Sequence, residues 1–332
     1  MGGKFLISLD FELHWGVFDA LSLETYQKNL ENVRTVIERL IKLSDSYNIK
    51  LTFSTVGLLF AENKGDIKKF MPSKIPNYNN KELNPFRLIN SIGETEKEDP
   101  IHYAKSIISA INKNHNHEIG THTFAHYNCL ASGQDIIDFT HDLTAAINIA
   151  KSMDIDIKSI VFPKNQIKQD YLEVCKRNGI TSFRGTEEHF LYNPSIKTKN
   201  FLFIKFHRPF RFLDGYINIS GHNTYSLDSL LDRSGLINLP SSRFLRPFIP
   251  RLSCLEFLKR ERIKKAMQYA AIKGELFHLW WHPHNFGSNM DANFKNLEII
   301  FKEYKNLNKK FGFESITMTG LTNQIKTRQY SN

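Results

Sequence analysis

A chain of 332 residues, 41% of them hydrophobic, can bury a full core as one large α/β domain or two smaller ones. Its net charge is +10, yet the basic residues are interspersed with acids and no nucleic-acid-binding signature accompanies them, which argues against a nucleic-acid partner. No uncharged apolar run is long enough to span a bilayer, no secretory leader precedes the first strand-like segment, and Cys129, Cys175 and Cys254 are odd in number and widely spaced, so a soluble, cytoplasmic protein with free thiols is expected.

The first element lies within KFLISLDFELHWG, residues 4–16. A short apolar run reads as a buried strand, and Asp10 and Glu12 follow it two residues apart. On an extended backbone residues i and i+2 point the same way, so both carboxylates face one spot at the strand's C-terminal end. Two carboxylates sharing a site repel unless a cation or a proton lies between them, so this pair asks for a metal ion or for acid/base work.

Apolar residues then recur at helical spacing over 24–46, and 50–56 (KLTFSTV) reads as a second strand. Periodicity is lost over 62–100, a stretch long enough to be a loop over the site. Tyr103, Ile107, Ile108 and Ile111 mark a helix, and 117–120 is a short third strand. Ser132 and Asp135 resemble a capping pair for a helix running to Lys151. A strand over 159–162, a helix over 171–178 and a strand over 180–183 follow. The stretch 187–253, with aromatic and basic clusters at 203–212 and 240–251, reads as inserted short strands and loops. A helix over 256–272, a strand over 275–281, a long helix carrying Phe294, Leu297, Phe301, Tyr304 and Leu307, and a strand over 315–318 close the chain. The alternation predicts a parallel sheet covered by helices, in a single domain over 1–332 with insertions at about 62–100 and 187–253.

Two further stretches carry chemistry. The densest basic run extends from Arg243 to Lys265 and reads either as the solvated face of a helix beginning near Glu256 or as a surface attracting a phosphate-bearing partner. The partners in view are a nucleotide-sugar, a lipid pyrophosphate or an anionic membrane surface touched peripherally. The other stretch is GTHTFAH, where His122 and His126 stand four residues apart; on a helical turn their rings share one side and can share one ion. In a parallel sheet the ends of same-sense strands lie on one edge, so these imidazoles and the carboxylates converge.

In the order of these pieces the chain resembles the polysaccharide deacetylase family, the NodB-homology domain of carbohydrate esterase family 4. The acidic motif SLDFE, KLTFSTVG, HEIGTHTFAH, IVFP and the late histidine in WWHPH carry the resemblance. It implies an α/β fold, an incomplete or distorted (β/α) barrel of about seven parallel strands with inserted loops and its site at the strands' C-terminal ends. It implies a metal-dependent hydrolase removing an N-acetyl group from a sugar of a glycan or glycan precursor, nucleotide- or lipid-linked. Asp10 would be the general base, and Glu12, His122 and His126 the metal ligands. His282 would be the general acid, with His284 the runner-up and His278 a packed core histidine. Zinc is the first expectation, and Co, Mn, Ni or Fe suit the same donors. Such an ion activates water and polarises the acyl oxygen, and a backbone N–H near Lys164 would help to hold the developing oxyanion. The family's third motif carries an arginine two residues before its proline, a place held here by Val161; Lys164 or Arg184 could supply that charge, and Asn165 stands beside them. Trp15, Trp280 or Trp281 could stack on a sugar face. The other functions kept in view are hydrolysis of a non-sugar amide or cyclic imide on the same fold, and a non-catalytic glycan-binding homologue.

Overall fold

The computed structural model describes residues 2–192 and 209–331; residues 203–208, the first part of one aromatic and basic cluster, lie outside the described residues. Nine strands build one sheet: β1 (Lys4–Phe11), β2 (Thr52–Thr55), β3 (Glu118–Thr121), β4 (Ser159–Ile160), β5 (Ser182–Phe183), β6 (Ile237–Asn238), β7 (Arg243–Phe244), β8 (Leu276–Trp281) and β9 (Glu314–Ile316). Every pairing between them is parallel, in the order β6-β5-β4-β3-β2-β1-β8-β7. β9 pairs with β1 through Lys4–Leu6, below the Ser8–Phe11 stretch that pairs with β2. All eight residues of β1 are buried, as expected of a central strand covered on both faces.

The sheet's two edges, β6 and β7, are separated in the chain by residues 239–242 alone, a span of at most about 14 Å. The chain crosses from one edge to the other: Leu239 N–H donates to Phe183 O (2.9 Å), and Ser242 N–H donates to His278 O (2.8 Å). The sheet is therefore curled into an incomplete α/β barrel, with these residues laced across its gap. Both edge strands fall in the stretch read from sequence as an insertion of short strands and loops. The other seven are the expected strands with shifted ends.

Helices α1 (Leu23–Glu31), α2 (Val33–Ser46), α3 (Lys64–Phe70), α4 (Lys105–Asn112), α5 (Ile136–Lys151), α6 (Gln169–Arg177), α7 (Glu256–Lys273), α8 (Met290–Phe311) and α9 (Met318–Ser331) surround the sheet. The single helix expected over 24–46 is two, broken at Asn32, whose side-chain amide donates to Gly287 O (2.9 Å). Asn29 likewise donates to His284 O (2.9 Å), so the break docks this helix pair onto the loop after β8. The cap of α5 sits three residues later than expected: Asp135 is the N-cap and forms a capping box with Asp138.

The core packs Phe5, Ile7 and Leu9 of β1 and Phe53 of β2 against Val36, Ile37 and Leu40 of α2, Phe139 and Leu143 of α5, and Ile300 and Phe301 of α8. Each such side chain, fully buried, contributes about 1.5–3 kcal/mol relative to exposure. That core fixes the strand ends from which the site projects. The basic run beginning at Arg243 is a solvated helix face only in part: Lys265 is exposed and Arg260 and Lys264 are half-buried, but Lys259 and Arg262 of α7 are buried, held by Glu256 and Arg246 O and by Gly221 O respectively.

Candidate active site

Asp10 belongs to β1 and Glu12 leaves it just before Leu13 turns the chain with φ 47°, and both carboxylates are buried at the sheet's C-terminal edge. His122 follows β3, and His126 arrives over a loop. This loop is not the helical turn expected from the four-residue spacing: Thr123 (φ 64°) and His126 (φ 51°) are both left-handed. Such backbone costs of order 1–3 kcal/mol per residue and persists only where the surroundings impose it. Here the buried Asp142 carboxylate accepts N–H from Phe124 (2.7 Å) and Ala125 (3.2 Å), and the Thr123 hydroxyl accepts N–H from Tyr127 (2.8 Å). Burial pushes the Asp142 carboxyl up to about 7, against the pull of those two donors.

Glu12 Oε2 lies 3.2 Å from Nε2 of His122 and 3.2 Å from Nε2 of His126. His122 Nδ1 is 2.8 Å from Val161 O, an acceptor only, so Nδ1 carries the proton and Nε2 turns a lone pair toward the carboxylate. Two lone pairs at that distance need a cation or a proton between them. Val161, which holds the place of the missing motif-three arginine, thus orients His122 through its backbone. The donor atoms of Glu12, His122 and His126 lie within 4.8 Å of one another, and the Nδ1 of His126 has no hydrogen-bond partner. Gly16 packs flat on Glu12: an added Cβ would stand 2.0 Å from the carboxyl carbon. One carboxylate and two bare imidazole nitrogens, closed in by packing, are a donor set that fits a divalent ion such as zinc.

Asp10 is engaged differently. Arg184, beyond β5, donates from NH1 to Oδ1 (2.6 Å) and from NH2 to Oδ2 (2.8 Å), a bidentate pair buried on both sides. Arg184 is itself held by Ser8 Oγ (3.0 Å), by Asn165 Oδ1 (2.8 Å) and by the Trp280 ring, 4.2 Å below its guanidinium carbon. Burial pushes the Asp10 carboxyl up, but Arg184, with help from His122 and His282, outweighs it and holds Asp10 below the usual carboxylate range. For Glu12, burial is outweighed by His282 first and then by the neighbouring His122 and His126, which hold it well below that range. Both are carboxylates at neutral pH.

His282 follows β8 directly, with Nε2 3.5 Å from Glu12 Oε1 and 3.8 Å from Asp10 Oδ2, and it is the part-exposed member of the group. Tyr26 O–H donates to Asn285 Oδ1 (2.9 Å), which turns the Asn285 Nδ2 toward His282 Nδ1 (3.3 Å). An amide N–H facing Nδ1 leaves the ring proton on Nε2, the nitrogen that faces the carboxylates. His284 is buried and stacked on His282 (centroids 5.0 Å, interplanar angle 15°), and burial, then His282, pushes it down to about 3. His278 is a core histidine, as expected, bonded to Leu239 O (2.9 Å) and Ser8 Oγ (2.8 Å).

Of the supporting residues expected from sequence, Arg184, Asn165 and Trp280 meet at Asp10. Lys164 turns away to pair with Asp19, so the charge beside Asp10 comes from Arg184. Trp15 and Trp281 are fully buried, and Trp15 Nε1–H donates to His102 O (2.8 Å), so neither offers a face to a sugar. Sequence reasoning missed Tyr26, which sits at an apolar-looking helix position, and Asn285. It also missed the chain Asp99, His102, His14 (2.8 and 2.7 Å), which ties the aperiodic stretch over 62–100 to the turn after Glu12.

No family model matches the chain, and no curated protein matches it. Among solved structures, it is similar to a Mycobacterium smegmatis protein assigned to the polysaccharide deacetylases, with 13% identity and a TM-score of 0.59 over 99% of this chain and 92% of that one. A Pseudomonas aeruginosa PAO1 protein with the same assignment gives 11% identity and a TM-score of 0.53, covering 99% and 91%. A GH57-type branching enzyme from Pyrococcus horikoshii gives 12% identity and a TM-score of 0.52, covering 97% and 70%. The chain thus has the fold seen in polysaccharide deacetylases, a fold shared with enzymes acting on glucans. Among the described residues, no helix is long and apolar enough to cross a membrane.

Proposed function

We propose that this chain is a metal-dependent N-deacetylase that hydrolyses the acetamide of an N-acetylated sugar in a glycan or glycan precursor, in the cytoplasm. The observation that carries the reading is the division of labour between two carboxylates at one strand end. Glu12 faces two imidazoles at 3.2 Å, whereas Asp10 is gripped by Arg184. A glycoside-cleaving site on the same fold would work with a pair of carboxylic groups flanking the bond, and a carboxylate committed to two bare imidazole nitrogens suits metal-assisted hydrolysis better.

Glu12, His122 and His126 hold the ion, which when bound supplies Lewis-acid activation of acyl group and water. Asp10, ionised and fixed by the Arg184 fork, accepts the proton from the attacking water at its carboxylate. Arg184 keeps that carboxylate from rotating and keeps its charge favourable in a buried place. A backbone N–H at Lys164 supports the oxyanion as charge develops. His282 presents Nε2–H to the departing amine nitrogen, a tautomer held by Tyr26 and Asn285; to give that proton away and end neutral the ring would first take up a second proton at Nδ1, with the Asn285 amide turning its oxygen to it. His284 acts as the stacking wall for His282. Once the amine leaves, the products are acetate and the free amino sugar.

The test is acetate release from a panel of N-acetylated sugars by the full chain after metal stripping and after reloading with zinc or cobalt. Release that returns with the ion supports the reading. A metal-replete chain that releases no acetate from any of them points instead to a glycan-binding role.

A further inference from the structure

Beside the catalytic group, on the side of β7 and β8, a cavity of about 250 Å³ is lined by Glu187, Tyr192, Arg211, Arg243, Arg246 and Trp280 among others, and it shares His282 with the site. Resting on the deacetylase reading, we infer that this cavity binds a phosphate group carried by the same substrate, so that the enzyme acts on a sugar phosphate or phosphate-linked sugar rather than on a neutral glycan.

The argument is one of charge and fixation. Arg243 has a counter-ion: Asp214 is fully buried and pairs with it, while also accepting from Tyr192 O–H (2.6 Å), Ile219 N–H (2.9 Å), Ser220 N–H (2.8 Å) and Ser220 O–H (2.8 Å). Arg262 approaches the same carboxylate at 3.6 Å, so Asp214 already stands between two guanidinium groups and has nothing left to neutralise a third. Neither Arg211 nor Arg246 has a carboxylate at ion-pair distance among the described residues. Arg246 donates to Arg211 O (3.1 Å) and lies against the Phe212 ring (5.0 Å), and Arg211 lies over Tyr192 (5.0 Å). Aromatic faces hold these planar cations without neutralising them. Arg246 is also half-buried, and burial lowers its pKa.

The one acid in the wall, Glu187, is buried; burial pushes its carboxyl up while Ser241, Arg243 and Arg211 pull it down, so its pull falls on Arg243 and Arg211 and not on Arg246. The guanidinium groups of Arg211, Arg243 and Arg246 on this one cavity outnumber the carboxylates beside them, Asp214 and Glu187, and their N–H forks match the charge and the oxygens of a phosphate. The cavity also shares its Trp280 wall with Arg184, so a phosphate held there would lie one side-chain layer from Asp10.

The experiment is equilibrium binding to the full chain at low ionic strength, read by calorimetry and by the fluorescence of Trp280. The probes are N-acetylglucosamine, N-acetylglucosamine 1-phosphate and inorganic pyrophosphate. The expected result is that the 1-phosphate binds at least tenfold tighter than the uncharged sugar, that salt erodes the difference, and that Arg246→Gln and Arg211→Gln each cut the affinity for phosphate-bearing probes about tenfold. Arg246→Lys, which keeps a charge, retains part of it and guards against a variant that misfolds. Equal affinity for charged and uncharged sugars, or unchanged phosphate affinity in Arg246→Gln, overturns the inference. A nucleoside-diphosphate N-acetylglucosamine and phosphatidylcholine vesicles doped with a polyisoprenyl-phosphate N-acetylglucosamine then distinguish the two sources of the phosphate. Because binding is measured without turnover, phosphate binding with no acetate release would defeat the deacetylase reading alone, and acetate release with no phosphate preference would defeat the inference alone.

Discussion

Replacing Arg184 with Met removes the guanidinium that grips Asp10 through bonds of 2.6 and 2.8 Å and leaves a carboxylate that is 3% exposed without its partner. Removing one member of a buried ion pair costs about 3–5 kcal/mol, and here contacts with Ser8, Asn165 and Trp280 are lost as well. The titration of Asp10 moves with it. In the wild type Arg184 outweighs burial and the carboxyl is depressed, so its contribution to stability is present above the ordinary carboxylate pKa and is lost as pH falls through the depressed value. In Arg184→Met burial acts with far less opposition and the pKa rises. A base must be ionised to act, so the acid limb of kcat/KM for acetate release shifts to higher pH, and kcat/KM near neutrality falls by about 10²–10⁴. Arg184→Lys keeps the charge but not the fork and recovers part of both. The assay is acetate release against pH, with bound metal quantified in each variant. An Arg184→Met protein that keeps wild-type kcat/KM and an unmoved acid limb would refute the assignment of Asp10 as the base that Arg184 positions.

Three further outcomes follow from neighbouring groups. Gly16→Ala places a Cβ where the Glu12 carboxyl stands, so metal affinity drops by at least about tenfold while far-UV circular dichroism is unchanged; undiminished zinc binding would exclude Glu12 as a ligand. His282→Gln lowers kcat by about 10²–10³ through loss of the proton donor with metal content intact, Tyr26→Phe lowers it less, and a full-rate His282→Gln moves the acid role to His284. Asp142, raised to about 7, binds a proton in the folded state that the unfolded chain releases above its ordinary value, so the stability it contributes is lost as pH rises through that window. Because Asn mimics the neutral form, the difference in urea midpoint between Asp142→Asn and wild type should move in the variant's favour from about pH 5 to about pH 7, by up to about 1.4 kcal/mol per unit; a pH-independent difference contradicts it.

The seven strands expected from alternation appear because each is a short apolar run bounded by turn residues, a signal that survives tertiary packing. β6 and β7 were not separable from loop, since each is two residues long and owes its pairing to the curled sheet rather than to its own pattern. Asp10, Glu12 and His122 were legible because strand-end residues inherit their direction from the strand. His126 was legible as a neighbour of His122, but its approach was not: the left-handed turn rests on Asp142, sixteen residues away in α5, which no local spacing reveals. Arg184 was one of two candidates for the charge on the base, and only the barrel's curvature, which brings the end of β5 over β1, chooses it above Lys164. The basic run after Arg243 was legible only in part: Lys265 and Lys273 of α7 are exposed, whereas Arg262 faces inward because the 209–222 segment, with Asp214 and Gly221, supplies its partners.

The most direct test of the central claim is an anomalous difference map from crystals soaked in zinc or cobalt. The account predicts one peak bound by Glu12, His122 and His126, with the Asp10 carboxylate outside the coordination shell and still paired to Arg184. A peak coordinated by Asp10 with Glu12 turned away, or no peak between the two histidines at saturating metal, would contradict it.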